Sequence, residues 1–421
     1  MALTPVWCCG FECGFNGAAA PHISTFLGTA SISTATVRTG TYSLRTNPTA
    51  AQSSAGNNGG EVTGTVGVAR SYINVSTAPS VSMGVIGFTT ASSFLCGLGY
   101  NTADSKWYPC SDDGTTFTKG ASGVTLSAGW HLVDVKVVVT SNPWTIDVQV
   151  DGSALTQLTI ASAATTVNQW RWGHDNRVAS YDIYHDDTLF SLTAADYPIG
   201  AGKVRGHSPT RDGTHTFTGT NAQIGAAGAN ITVTSTNTYT FIDDIPISSG
   251  GTSDFLTQLT SSPTQYVEHG YASMATGTAG PRAVEILMRH HKVSTAGAGF
   301  RWKLNDNGTT ALLLNYLSSA AGSSGPTYQR KQYATMVGGA SWTLARFNGI
   351  LTRWGYSTDA NPDVSLDAAL IEAEWDASGQ AADQPVTATG NYGVGTLGMT
   401  IVPNIPVQAL SLSGLYIPRY A

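Results

Sequence analysis

Trp130-His131-Leu132-Val133-Asp134-Val135-Lys136-Val137-Val138-Val139 decides how this chain is read. The run is β-branched and begins in strict alternation, the period at which successive side chains point to opposite faces of a sheet. Trp144 to Val150 is a second such run, followed by Asp151-Gly152, a pair suited to a two-residue turn, and by the return Leu155–Ile160. Outward from this hairpin the same punctuation continues. Strands are predicted at Gly84–Thr89, Phe94–Tyr100, Lys106–Pro109, Asn168–Gly173 and Tyr181–His185. Beyond a break at Tyr197-Pro198-Ile199-Gly200-Ala201-Gly202 they resume at Lys203–His207, His215–Thr218, Val284–His291, Phe300–Asn305, Ala311–Tyr316, Tyr328–Thr335 and Ala369–Trp375. Short strands at this spacing, with no long amphipathic helix between them, predict an all-β protein of two consecutive β-sandwich domains.

Composition supports two cores. The chain has 421 residues, more than one ordinary core organises. Hydrophobic residues make up 41%, enough to exclude a disordered chain. Charged residues make up only 11%, against roughly 25% in typical soluble domains. Such a neutral surface, rich in Gly, Ser and Thr, suits a subunit held in a large assembly, and it also suits a secreted protein. The expected division is residues 1–198, residues 199–377, and a C-terminal extended arm over 378–421. The arm's apolar runs Leu397–Val402 and Val407–Ile417 are interrupted by Pro403 and Pro406 and followed by Pro418.

A formal net charge of −6 argues against nucleic acid as partner, and no apolar run is long enough to cross a bilayer, so no membrane insertion is expected. Met1–Cys9 lacks a basic stretch and a long apolar stretch, and does not read as a secretory signal. Five cysteines leave an odd thiol. Cys96 and Cys110 are equidistant from a turn centred at Ala103, which predicts a disulfide across that hairpin. Cys8, Cys9 and Cys13 are then buried thiols or candidate intersubunit thiols.

Several segments carry a resemblance. Val6-Trp7-Cys8-Cys9-Gly10-Phe11-Glu12 and the stretch Ser31 to Arg45, with Arg38-Thr39-Gly40 at its centre, resemble the opening of a group of phage tail-region proteins. Val148–Gly152 with Tyr181–Asp187 is similar to the closing strands of a concanavalin A-like (laminin-G-like) jelly roll. Gly202-Lys203-Val204-Arg205 through Gly213, then Tyr239–Pro246, Ala283–Lys292, Ala340–Thr343, Phe347–Ile350 and Glu372–Trp375 resemble a companion β domain of the same proteins. The match runs colinearly over about 1–377; it departs at Lys203, where Asp is usual, and has no counterpart in 378–421. The resemblance implies a virion component.

Candidate chemistry is sparse. Glu372-Ala373-Glu374-Trp375-Asp376 has the period-2 carboxylates of a glycan hydrolase strand, but in the wrong order and domain, and reads better as a solvent-facing strand edge. Asp112-Asp113, Asp186-Asp187 and Asp243-Asp244 can offer oxygens to Ca²⁺, yet adjacent aspartates more often serve turns. His290 and His291, adjacent on a strand, point to opposite faces and make a poor metal pair. Trp107, Tyr108, Trp170 and Trp172 can stack on sugars if exposed, or fill a core. No catalytic, cofactor-binding or metal-ligating residue is assigned, and no cofactor is expected. The expectation is a non-enzymatic structural component of a phage virion (tail, neck or collar, or capsid-decorating subunit). It is expected to be assembled in the host cytoplasm, exposed on the particle exterior, and to oligomerise with copies of itself and with other virion proteins. The alternative is an adsorption module that binds host-surface glycan.

Overall fold

The computed structural model describes residues 3–14, 23, 25–57, 63–90, 94–162, 166–218, 222–224, 229–243, 255–259, 264–274, 279–292, 301–306, 311–314, 327–336, 339–355 and 364–376. The predicted arm, 378–421, lies outside them. Among these residues the chain is all-β, in two consecutive sandwiches. The valine-rich run is a strand, Trp130–Val138, paired antiparallel with Trp144–Val150 on one side and with Val66–Thr77 on the other. Val133, Val135 and Val137 stand opposite Val150, Val148 and Ile146, and all six are buried in one cluster. Burying each such side chain is worth about 1.5–3 kcal/mol, and a one-residue slip would turn the whole row to the wrong face. Register is set here.

This sheet continues through Asp182–Ser191 to Ser43–Thr46 and Ser31–Ser33. Asp182–Ser191 also pairs with Pro5–Cys9. A second sheet runs Phe117–Lys119, Lys106–Asp112, Leu95–Asn101, Met83–Thr90, Val167–Ala179, Ala51–Asn57, Thr25–Leu27. Ile86, Phe88, Leu98, Trp170 and Trp172 from this sheet meet the valine row. The second sandwich places Val364–Asp376 between Ala283–Lys292, Leu256–Gln258 and Gly202–His207, with Thr327–Tyr333 beyond Ala283–Lys292. Its facing sheet runs Pro209–Asp212, Tyr266–Tyr271, Ile350–Gly355, Arg301–Asp306, Ala311–Leu314. Phe217, Val267, Ile286, Trp302, Trp354 and Ile371 lie in its core. One short α-helix, Leu344–Asn348, is capped by the Thr343 hydroxyl, which accepts from the Arg346 amide at 3.3 Å.

Two readings need correction. His215–Thr218 is not a strand; Thr216 docks by donating its amide to the Tyr266 carbonyl at 2.9 Å. The Cys96–Cys110 disulfide is not formed. Asn101 pairs with Lys106, so the hairpin is centred between residues 103 and 104 rather than on Ala103. Cys96 therefore faces Ser111 and Cys110 faces Gly97. Because successive side chains alternate, Cys96 points into the core cluster and Cys110 to the opposite face. Burial pushes the Cys96 thiol up to about 12 and raises Cys110 as well. After air oxidation, peptide mapping without reductant is expected to find both residues unlinked; a Cys96–Cys110 peptide would show this register to be wrong.

Candidate functional site at the interdomain seam

Period-2 alternation explains the opening segment. Trp7, Cys9 and Phe11 enter the first core, with Trp7 4.9 Å from Phe190 and Phe11 5.3 Å from Trp172 between ring centroids. Cys8, Gly10 and Glu12 face the other way, onto the second sandwich. Cys8 packs with Val204 and Ala283. A methyl on Gly10 would stand 2.7 Å from the Val204 carbonyl, and one on Gly206 would stand 2.7 Å from Glu12 Cβ. These glycines permit the close approach of two backbones. Cys13 lies against Leu287 and Leu370. All three N-terminal thiols are buried within the chain, and burial raises the Cys8 and Cys9 pKa values well above the ordinary thiol range.

The seam is lined with charge. Arg70, on the first sandwich, donates to both oxygens of Glu374, on the second, at 2.6 and 2.7 Å; neither side chain is exposed. Arg70 also donates twice to the Asp187 carbonyl, at 3.1 and 2.9 Å. Burial works against its cation, and Glu374 more than offsets that, holding the pKa above the usual guanidinium value. Asp187 pairs with Arg38 and accepts from the Thr39 hydroxyl and the Val204 amide, both at 2.6 Å. Asp186 accepts from the Arg38 amide at 2.9 Å. Arg38 lies 3.4 Å above the Tyr72 ring and donates to the Gly202 carbonyl at 2.9 Å. Glu12 accepts from the Thr41 and Tyr42 amides at 3.0 and 3.3 Å, filling the space that a side chain at Gly40 (φ 70°) would need. Burial raises the Glu12, Asp186 and Asp187 pKa values.

On the second sandwich, Glu372, Glu285 and Gln332 form one row across three adjacent strands. Glu372 accepts from the Gly10 amide at 2.9 Å, and Glu285 from the Cys8 amide at 3.4 Å. Glu372 and Glu374 are therefore not a solvent-facing edge: both are fully buried beneath the N-terminal segment. Arg282 joins Glu374 at 2.5 Å and the Ile199 carbonyl at 3.4 Å. Asp134 accepts from the Ile199 and Gly200 amides, at 3.0 and 3.2 Å, fixing the connection between the sandwiches.

Sequence reasoning placed no site here, although it singled out Gly10–Glu12, Arg38–Gly40, Asp186-Asp187, Val204 and Glu372–Glu374, all of which converge on the seam. Arg70 and Arg282 were missed. An arginine inside a hydrophobic strand pattern was the available signal for Arg70, because a buried cation demands a partner. Trp107, Tyr108, Trp170 and Trp172 are all buried and offer no stacking surface. Asp186-Asp187 is buried in the seam rather than in an exposed turn. Asp112 is buried, bound by Arg177 at 2.8 Å, while Asp113 caps a tight loop through the Thr116 amide at 2.6 Å. Among the described residues no group of three or more His, Cys, Asp or Glu side chains is arranged to hold a metal ion.

No family model matches the chain, and no curated protein matches it. Solved structures similar to it include a conserved carbohydrate esterase of the Shiga toxin-encoding bacteriophage phi24B, at 12% identity, 45% of this chain, 99% of that one and a TM-score of 0.32. The tandem CBM22 domains of Paenibacillus barcinonensis Xyn10C match at 10% identity, over 88% of this chain and 98% of that one, with a TM-score of 0.24. Mouse laminin alpha1 domains LG4-5 match at 11%, over 86% and 84%, also at 0.24. At such scores the likeness carries no functional argument.

Two outcomes test the seam. Removing one partner of a buried ion pair typically costs about 3–5 kcal/mol, because the other charge is left without compensation. Arg70→Met should lower the urea midpoint accordingly, and Arg70→Met/Glu374→Leu should recover most of the loss. Equal midpoints for Arg70→Met and the parent protein would show the pair to be inert. The second outcome concerns His185, fully buried, whose pKa burial depresses to about 3. The unfolded chain protonates it near 6.5, so its neutral burial favours the fold fully above that pH and ever less as pH falls toward 3. His185→Gln should therefore gain on the parent by up to about 1.4 kcal/mol per pH unit below 6.5, with a constant difference above it. A pH-independent difference would exclude this linkage.

Proposed function

We propose that this chain is a non-enzymatic structural subunit of a phage particle, displayed on the exterior and acting through assembly. The observation that carries the reading is convergence. Several of the segments that carry the resemblance, from Gly10–Glu12 to Glu372–Glu374, are scattered over more than three hundred residues, yet they meet at one desolvated seam that locks two sandwiches into a single body. Such a body transmits load and presents fixed surfaces to neighbours. The seam's carboxylates are engaged by backbone amides and arginines.

A second reading is recognition of a host-surface glycan by the first sandwich. Its candidate contact is Arg171, on the face of the second sheet turned away from Trp170 and Trp172, in a row with Gly56, Gly87 and Gly97 across four strands. All four residues are buried, the Gln169 side chain takes the space beside Gly56, and Arg171 donates to Gln169 Oε1 and to the Ser54 hydroxyl.

Mass spectrometry of purified particles from a phage encoding this protein should find it in stoichiometric amount; its absence from the particles would overturn the first reading. A glycan array probed with the full chain decides the second. Binding that Arg171→Ala abolishes supports it, and no binding to any glycan removes it.

A further inference from the structure

The row that receives the N-terminal segment has a third member. Glu372 takes the Gly10 amide and Glu285 takes the Cys8 amide. Gln332 stands next in that row, on the adjacent strand. Both polar atoms of its side-chain amide are buried and lack a hydrogen-bond partner among the described residues. The mismatch is geometric. Two residues along a strand advance about 6.6 Å, whereas adjacent strands of a sheet lie about 4.8 Å apart. A segment crossing the row thus falls out of step, and by Val6 a cavity of about 370 Å³ has opened, lined by Pro5, Val6, Glu285, Arg330 and Gln332. At Ala334 it meets a second cavity of about 450 Å³, lined by Leu3, Ile199, Arg282, Trp342 and Asp376. Arg282 Nε, on this second wall, is likewise buried without a partner.

We propose that this cleft is the docking site for the chain's own C-terminal segment, residues 384–418. Three observations select this occupant. First, chemistry: a primary amide left with donor and acceptor both unmet is complemented by a group offering C=O and N–H side by side, which is a peptide unit. Second, charge: Arg330 is paired with Glu285 and Arg282 with Glu374, so these cations do not recruit an anion. Residues 384–418 are a 35-residue stretch without Asp, Glu, Lys, Arg or His, rich in Leu, Ile and Val. Third, position: Asp376 ends the last described strand and itself lines the second cavity. Residues 377–383 span at most roughly 25 Å, so the segment begins at the cleft's mouth. Tethering at that distance gives it a local concentration on the order of millimolar, which favours its own cleft over a neighbour's. The proposal stands apart from the virion reading, since it concerns how the chain completes its own surface.

The test uses the full chain. Lys331→Cys is combined, one at a time, with Thr400→Cys, Asn404→Cys, Gln408→Cys and Ser413→Cys; the native thiols are all buried. Mild oxidation should form a disulfide within one chain for at least one pair, read as a faster-migrating monomer and by peptide mapping. Bonds only between chains would overturn the proposal in favour of exchange between copies, and no bond at any position would overturn it outright. Hydrogen exchange supplies an independent readout. Amides of Tyr328–Ala334 should exchange at least about tenfold more slowly in the parent than in Leu397→Asp/Ile401→Asp/Val402→Asp. Leu366–Ile371 should stay unchanged as the control for folding. Equal exchange at Tyr328–Ala334 would overturn the proposal.

Discussion

A guanidinium on one sandwich and a carboxylate on the other, both withdrawn from water, constrain everything around them. Arg70 and Glu374 are fully buried and meet in a two-point contact. A pair of this kind adds little net stability over an apolar pair of equal volume. What it does is penalise every arrangement of the two sandwiches in which either charge lacks its partner. Hinge motion at the seam would strand a buried cation, so the relative orientation of the sandwiches is set by electrostatics as well as by packing.

The rest of the seam follows from that exclusion of water. Six carboxylates crowd there: Glu12, Asp186, Asp187, Glu285, Glu372 and Glu374 are all buried. Arg38, Arg70, Arg282 and Arg330 answer some of them, and backbone amides of Cys8, Gly10, Thr41 and Val204 answer the rest. Glycines at 10, 40 and 206 are the steric condition for this arrangement, because a β-carbon at any of them would collide with the opposing surface. In a chain with only 11% charged residues, so many in one place make the joint between the sandwiches its most highly specified region.

Much of the fold was legible. Trp144–Val150 was read at its observed bounds, and Trp130–Val138 and Ala283–Lys292 to within one residue at either end, because alternation and β-branching are local signals. Val66–Thr77 was not read as a strand, although it lies at the centre of the first sheet. Its Arg70 and Ser71 interrupt an apolar pattern, and their burial depends on partners more than a hundred residues away in sequence. The cysteine hairpin failed for a smaller reason: four loop residues instead of the five between the predicted strands moved the centre by half a residue, which exchanges one face for the other.

By itself the sequence determined the class of structure, the number of cores and which residues alternate, since these depend on the period of side chains along a strand. It also marked the short segments that matter, Gly10–Glu12, Arg38–Gly40, Asp186-Asp187 and Glu372–Glu374, without disclosing that they touch. Only the tertiary structure decided that they form one buried network. The reason is that a charge's worth depends on the water and partners around it, and those are fixed by contacts between residues far apart in the chain.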